Sequence, residues 1–202
     1  NFIKSIFFKN SKLNFAENLL DKDDESEAII FYSENNHKRI VTWKDLKFKV
    51  NQISQFYLDK NIKKGDRIAA ILPNIPETVI SFLGAAKIGA IWSSCSSDFG
   101  PQAVIDRFKQ INPKILIISD YYLYNGKKIN TLNKVNEILK QIKSIKEIII
   151  ISYENVNKKF NVKFNYQAWH KIMEINSFSS KYESFEFNLP LYILYSSGTT
   201  GD

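Results

Sequence analysis

The sequence predicts an α/β fold with a mainly parallel sheet and helices on both faces. Short apolar runs typical of buried strands alternate with segments of helical periodicity along most of the 202 residues. The helical segments lie between the runs, as the crossover connections of parallel strands require. Hydrophobic residues make up 44% of the chain, which is enough for one sizeable core. Together these observations favour a layered α/β domain with helices packed on a parallel sheet.

The N-terminal part of the chain predicts a lead-in segment followed by a β-hairpin. Residues 1–27 are expected to begin as a short helical or extended piece and to continue as an exposed acidic loop. Two apolar runs, residues 28–32 and 39–41, flank a polar stretch that contains His37. Strand-forming runs around a short polar segment are typical of a hairpin, so His37 is expected to be solvated in its turn.

Three helices are predicted from start signals and apolar spacing in the next part of the chain. Thr42 with Asp45 three positions later resembles a capping box, and Pro76 and Pro101 each suit the first turn of a helix. The apolar residues at helical spacing are Leu46, Val50, Ile53 and Tyr57, then Val79, Ile80, Leu83 and Ala86, then Val104, Ile105, Phe108 and Ile111.

The strands of the sheet are predicted at residues 67–72, 90–92, 115–118, 147–151 and 191–195. A fourth helix is expected from the apolar spacing of residues 132–142. Residues 93–98 and 121–128 are expected to be loops. Loops at the carboxyl ends of strands are where ligands bind in open α/β sheets. Residues 153–187 are less regular, with a possible helix at 167–175.

The last stretch of the chain predicts a phosphate-binding loop after a buried strand. Glycine lets the backbone approach a ligand closely, and successive N–H groups with Ser and Thr hydroxyls can surround a polyphosphate. Composition alone leaves a solvated loop equally open. The stretch lacks the Gly-Lys-Ser/Thr ending of a Walker loop and the spacing of a dinucleotide loop. The predicted phosphate-binding residues are Ser196, Ser197, Gly198, Thr199, Thr200 and Gly201.

Composition and net charge limit the classes of protein to which this chain can belong. The net charge is +7, but the lysines are scattered, which favours a solvated surface over a nucleic-acid partner. Such a surface could still attract ATP or CoA, which are polyanions. No apolar run is long enough to span a membrane, and a single cysteine fits a reducing, cytoplasmic setting.

Metal and nucleophile chemistry have little support in the sequence. His37, His170 and Cys95 show no metal-ligand spacing, so no metal site is predicted. A nucleophilic Cys95 would need an adjacent base, and a small core or polar-loop residue is the favoured interpretation. A functional role stays open for Asp98 and Asp106 with Arg107, but a surface pair at a helix start is the favoured interpretation.

The string Tyr-Ser-Ser-Gly-Thr-Thr-Gly at residues 195–201 resembles the phosphate-binding loop of the adenylate-forming enzymes, which include acyl-CoA synthetases, luciferases and peptide-synthetase adenylation domains. That family continues the loop with x-Pro-Lys, so Asp202 falls at the x position. Strings resembling the CoA ligases of this family lie at residues 13–20, 65–70, 72–77, 89–100, 106–114 and 124–127.

The resemblance implies a ligase for a short-chain keto acid, with ATP, Mg²⁺ and CoA as its other substrates and cofactor. It implies that residues 1–202 are a partial N-terminal AMP-binding domain, with the family's catalytic lysine beyond them, and that this chain alone is inactive. By the same resemblance, the residues near CoA are Ser96, Ser97, Asp98 and Lys127.

Two alternatives remain open from the sequence. One is an acetyl- or propionyl-CoA synthetase, which shares the chemistry and differs in the acid. The other is a non-catalytic α/β binding module that keeps only the loop.

Overall fold

The computed structural model describes residues 7–196, and over this span the chain folds around a five-stranded parallel sheet. The strands described are β1 (Lys12–Leu13), β2 (Glu27–Tyr32), β3 (Lys38–Thr42), β4 (Arg67–Ile71), β5 (Ile91–Cys95), β6 (Ile115–Ser119), β7 (Tyr121–Tyr124), β8 (Lys127–Asn130), β9 (Glu147–Ile151), β10 (Gln167–Ala168) and β11 (Phe185–Glu186). The helices described are α1 (Phe15–Leu19), α2 (Trp43–Asp59), α3 (Pro76–Lys87), α4 (Pro101–Ile111), α5 (Val135–Gln141) and α6 (Trp169–Ile172).

The order of strands in the main sheet is β10-β9-β6-β4-β5, and every neighbouring pair is parallel. The chain therefore moves from β4 to β5 on one side and then crosses back to β6 on the other. This is the doubly wound order in which ligands bind where the direction of winding reverses. The predicted parallel sheet is confirmed.

Alternation along the central strands divides the interior into two cores. In β4, Ile68 and Ala70 face one core, whereas Ala69 and Ile71 face the other, and all four side chains are fully buried. Strands β6 and β9 alternate in the same way. Helices α2, α3 and α6 cover the first core, and α4 and α5 cover the second. Since burial of each large aliphatic side chain contributes about 1.5–3 kcal/mol, these strands must be covered on both faces.

The predicted helix starts are confirmed. The Thr42 hydroxyl accepts a hydrogen bond from the backbone N–H of Asp45 at 3.2 Å and so caps α2. Pro76 and Pro101 occupy the first turns of α3 and α4, where a missing N–H costs nothing. Helix α4 ends at Asn112, whose φ of 47° is the left-handed conformation common at helix ends.

Close packing joins α2 to α3 at a glycine. A Cβ at Gly84 would lie 2.4 Å from Cγ2 of Ile53 and 3.4 Å from the Ser54 nitrogen. The two helices can approach this closely only because Gly84 has no side chain. The predicted hairpin, β2 with β3, is also confirmed, and it is tied to α3 by the paired hydrogen bonds of Arg39 to Glu77 at 2.7 and 2.9 Å.

Two predicted loops are partly strand in the structure. Ser93 to Cys95 extend β5, because their backbone pairs with Ala69 to Ile71 of β4. Residues 121–130 form the antiparallel hairpin β7–β8, whose turn at Asn125 and Gly126 has φ values of 48° and 70°. Both φ values are positive, as a tight hairpin turn of this kind requires.

Two other predictions were wrong in extent. The apolar run 191–195 was expected to be a buried strand, but it makes only an isolated parallel bridge from Tyr192 to Trp92. The side chains of Tyr192 and Leu194 are 50% and 71% exposed, because no further strand covers them in the described part of the chain. The helix expected at 167–175 is limited to α6, because β10 takes the preceding two residues into the sheet.

Candidate functional site

A groove lies at the carboxyl edge of the sheet, beside the point where the winding reverses. It has a volume of about 480 Å³. A second cavity of about 400 Å³ adjoins it and shares Ser97, Asp98 and Tyr122 with it. The residues that line the first groove are Pro73, Ser96, Ser97, Asp98, Tyr122 and Tyr124. Three of the four residues predicted near CoA therefore come together here.

The β5–α4 loop, residues 96–100, forms one wall of the groove. Ser96 and Asp98 are exposed, whereas Ser97 is only 3% exposed and its hydroxyl has no hydrogen-bond partner among residues 7–196. A buried hydroxyl without a partner is uncommon and leaves a donor and acceptor available at the groove.

Lys134 braces this loop through its backbone carbonyls. Its ammonium donates to the carbonyl oxygens of Ser97 at 2.9 Å and Phe99 at 2.7 Å. Burial lowers the pKa of Lys134, and the nearby Asp98 and Cys95 oppose that shift. The sequence analysis did not single out Lys134, because no local pattern distinguishes it from the other lysines.

Lys127 lies outside the residues that line the groove. It is exposed at the start of β8 and pairs across the hairpin with Tyr124, which does line the groove. The prediction that Lys127 acts beside the three loop residues is therefore not matched by direct contact with the groove.

The β7–β8 hairpin is anchored by a buried carboxylate. Asp120 accepts hydrogen bonds from the backbone N–H groups of Tyr121 at 3.0 Å and Tyr153 at 2.9 Å, and it forms an ion pair with Lys158. The Thr131 hydroxyl donates to the carbonyl of Ser119 at the end of β6. These contacts hold Tyr122 and Tyr124 against the groove.

Residues 191–196 run along the outer side of β5. The Trp92 amide donates to the Leu191 carbonyl at 3.0 Å, and the Ile193 amide donates to the Trp92 carbonyl at 2.8 Å. Because the bridge between Tyr192 and Trp92 is parallel, the segment runs in the same direction as β5, toward the carboxyl edge. Ser196, the first predicted phosphate-binding residue, follows at that edge, and the others, Ser197 to Gly201, lie outside the described residues.

Arg107 contacts both segments. Its guanidinium carbon lies 4.8 Å from the ring centre of Phe99 and 5.7 Å from that of Tyr195. The Tyr195 hydroxyl donates to the Arg107 carbonyl at 2.9 Å. Burial raises the pKa of Tyr195, and its hydrogen bond with Ser93 opposes that shift. Asp106, by contrast, is exposed and accepts from Gln102 at 2.6 Å, so the two neighbours are not the surface pair that was expected.

Cys95 is buried at the end of β5, and its thiol is not activated. Burial raises its pKa to about 11, although Arg107 and Lys134 oppose the shift. The thiolate is therefore scarce at neutral pH, and a nucleophilic role is disfavoured. Within residues 7–196 no group of three or more His, Cys, Asp or Glu side chains could hold a metal ion. None of the helices in that same span is both long and apolar enough to cross a bilayer.

Comparisons with known proteins place these features in context. A family model described as AMP-binding enzyme matches residues 16–202. The acetoacetyl-coenzyme A synthetase of Rhizobium meliloti (strain 1021) is 40% identical over 195 residues, and the acetoacetyl-CoA synthetase of Xenopus tropicalis is 39% identical over 206 residues. Each alignment covers 96% of this chain and 30% of the relative, so the chain spans about 30% of the length of these relatives. A solved structure of acetoacetyl-CoA synthetase from Streptomyces lividans matches with a TM-score of 0.84 at 32% identity, over 94% of this chain and 29% of that one.

Proposed function

Because the chain belongs to the family of AMP-binding enzymes, we propose that it forms part of an AMP-forming acid–CoA ligase whose acid is acetoacetate. The observation that carries the proposal is the similarity to acetoacetyl-CoA synthetases along 96% of the chain, at 40% and 39% identity. Residues 1–202 would then be the N-terminal part of the AMP-binding domain, with residues 1–27 as its lead-in. The coverage of about 30% of these relatives supports the part of this proposal that concerns a partial domain.

The proposed reaction has two half-reactions. In the first, an oxygen of the acetoacetate carboxylate attacks the α-phosphorus of ATP, and pyrophosphate leaves. In the second, the sulfur of CoA attacks the acyl carbon of the acetoacetyl-adenylate, AMP leaves, and the thiol proton passes to solvent. The adenylate is needed because a free carboxylate has no adequate leaving group.

The candidate site offers separate groups for the two half-reactions. We assign Ser196, Ser197, Gly198, Thr199, Thr200 and Gly201 to the β- and γ-phosphates of ATP. The β5–α4 loop, with Ser96, Ser97 and Asp98, is assigned to CoA, and Lys127 contributes positive charge at the rim of the groove. The course of residues 191–196 toward the edge of the sheet where Ser96, Ser97 and Asp98 lie supports these assignments. The residue that catalyses adenylation is not assigned within this chain.

The family resemblance also implies that Mg²⁺ accompanies ATP. Mg²⁺ usually keeps several waters and is bound by one or two carboxylates together with substrate phosphates. The described part of the chain has no group of three or more His, Cys, Asp or Glu side chains that could hold a metal ion, and no residue there is assigned as a ligand. We propose that the ion arrives bound to ATP.

The remaining parts of the proposal concern location and alternatives. We propose a cytoplasmic enzyme, supported by the single, buried cysteine, which fits a reducing compartment. The names of the relatives favour acetoacetate over acetate or propionate, and the breadth of the similarity favours an enzyme over a binding module that keeps only the loop.

The test is acid-dependent turnover by the full-length protein that carries this segment. Values of kcat/KM for acetoacetate, acetate and propionate would be compared at saturating ATP and CoA, since discrimination is a ratio of these values. We expect acetoacetate to be preferred. A preference for acetate or propionate would reject the substrate while retaining the ligase. Absence of acid-dependent pyrophosphate release with all three acids would favour the binding module.

A further inference from the structure

One arginine on α4 contacts the two segments that the proposed function assigns to different substrates. Arg107 lies over Phe99 of the β5–α4 loop, which is assigned to CoA. It also lies over Tyr195, which immediately precedes the segment assigned to the ATP phosphates. Its side chain is partly buried, and its guanidinium donates to the Ala103 carbonyl at 2.8 Å within the same helix.

We propose that Arg107 is a positioning residue. It holds residues 191–195, the root of the phosphate-binding segment, in a fixed position relative to residues 96–100, the CoA-facing loop. The inference rests on the proposed function for the meaning of the two segments. The contacts themselves are independent of it. A planar guanidinium can stack on two aromatic rings at once, which a lysine ammonium cannot do with the same geometry. Partial burial strengthens such contacts, because water screens them less.

Helix α4, which carries Arg107, is held in place by its packing against the second core. Its neighbour Phe108 is fully buried in the second core, together with Val104 one turn earlier. Helix α4 therefore cannot rotate without disrupting that core. The Tyr195 hydroxyl bonds to the backbone carbonyl of Arg107, so the root of the phosphate-binding segment is tied to the helix by a second contact of a different kind.

A third tie holds the same root to β5. The Ser93 hydroxyl donates to the Ile193 carbonyl at 3.0 Å. Residues 191–195 are thus fixed to β5 and to α4, although they make no continuous strand ladder. Without Arg107, the root would keep its contacts with β5 and lose its aromatic and cationic contact with the CoA-facing loop.

The structure offers a contrasting residue for the test. Lys134 donates hydrogen bonds to the carbonyls of Ser97 and Phe99, so it braces the CoA-facing loop through contacts that differ from those of Arg107. Within the described part of the chain, the hydrogen bonds of Lys134 go to this loop and not to residues 191–196. Lys134→Met is therefore expected to loosen only the CoA-facing loop, whereas Arg107→Met should disturb both this loop and residues 191–196.

The experiment uses the full-length protein and five variants. These are Arg107→Met, Phe99→Leu, Tyr195→Phe, the contrasting Lys134→Met and, as a matched control on the same helix, Lys109→Met. Lys109 is exposed and lies outside the candidate site. Adenylation is followed from ATP and acid in a single turnover, and thioester formation is followed from preformed acyl-adenylate and CoA. Hydrogen exchange of peptides that cover residues 96–100 and 192–196 is measured on the same proteins.

We expect Arg107→Met to slow both half-reactions, by up to roughly a hundredfold, because misplacement of about 1 Å has effects of that size. Phe99→Leu should mainly slow thioester formation, and Tyr195→Phe should mainly slow adenylation. Hydrogen exchange should rise in both peptides for Arg107→Met and in neither for Lys109→Met.

The outcomes separate this inference from the proposed function. If the wild-type protein catalyses neither half-reaction, the proposed function fails, and hydrogen exchange still tests the link made by Arg107. If Arg107→Met leaves exchange in residues 192–196 unchanged, the positioning role is wrong even where the ligase activity is present. If Phe99→Leu and Tyr195→Phe slow the two half-reactions in the same ratio, Arg107 acts only through general stability and the inference is overturned.

Discussion

Replacing Lys134 by methionine tests how the β5–α4 loop, which we propose faces CoA, is held. The substitution keeps an unbranched side chain and removes the ammonium that bonds to the carbonyls of Ser97 and Phe99 at 2.9 and 2.7 Å. A hydrogen bond to a charged group contributes about 1.5–3 kcal/mol when buried. Because Lys134 is only partly buried and water can reach much of this loop, we expect a loss of about 1–2 kcal/mol in the free energy that holds the loop.

The functional consequence should be confined to CoA. A loss of about 1.4 kcal/mol corresponds to a tenfold change, so the KM for CoA should rise roughly tenfold. Adenylation should be nearly unchanged, since the contacts of Lys134 are with the β5–α4 loop. The assay is thioester formation from preformed acetoacetyl-adenylate at varied CoA, beside single-turnover adenylation in the full-length protein. Lys140→Met, an exposed position on α5, is the matched control.

Two results would refute this reasoning. An unchanged dependence on CoA would mean that the loop is held without Lys134, or that the loop does not face CoA. Equal slowing of both half-reactions, with a lower melting temperature, would mean that Lys134 acts through folding. Retention of CoA affinity by Lys134→Arg, whose guanidinium can reach the same carbonyls, would support the bracing role.

Three further predictions concern other parts of the chain. Gly84→Ala should destabilise the fold by about 1–3 kcal/mol in urea unfolding, and adding Ile53→Leu, which removes the clashing Cγ2 methyl, should recover part of that loss. Burial lowers the pKa of Lys87 from 10.5 to about 8, so between these pH values the unfolded state binds more protons than the folded state. The free energy of unfolding of the wild-type protein should therefore rise by about 1–2 kcal/mol relative to that of Lys87→Met from pH 7.5 to 9.5. A constant difference between the two proteins over this range would contradict the prediction. In the full-length protein, Thr200→Ala should slow adenylation by about 2.7–4 kcal/mol in activation free energy and spare thioester formation, because the β- and γ-phosphates are absent from the second step; equal slowing would exclude the phosphate-donor role.

The sequence was sufficient where the signal is local. The start of α2 depends on Thr42 and Asp45, which are three residues apart, and the starts of α3 and α4 depend on single prolines. The apolar runs of β4, β6 and β9 predicted strands buried on both faces, and their side chains alternate between two cores. The turn of the β7–β8 hairpin was also a local signal, Asn125-Gly126, which the sequence analysis left within a loop.

In the candidate site, too, some features followed from residues that are close in the chain, and others depended on tertiary contacts. The grouping of Ser96, Ser97 and Asp98 at the carboxyl end of a strand followed from chain order, because these residues are adjacent. The extension of β5 through Cys95 depended on its pairing with β4, and the exposure of residues 191–195 depended on which strands lie beside them. Polar residues can occupy a strand when a neighbouring backbone satisfies their N–H and carbonyl groups.

The sequence by itself determined the α/β class, the starts of the main helices, the positions of the central strands and the resemblance to a family, because each depends on residues that are close in the chain. Only the tertiary structure decided the strand order, the place of Lys127 outside the groove, and the contacts of Arg107 and Lys134. Arg107 is 88 residues from Tyr195, and Lys134 is 37 residues from Ser97. Partners at such separations are chosen by how the helices pack on the sheet, and no short-range pattern of residues specifies which side chains that packing brings together.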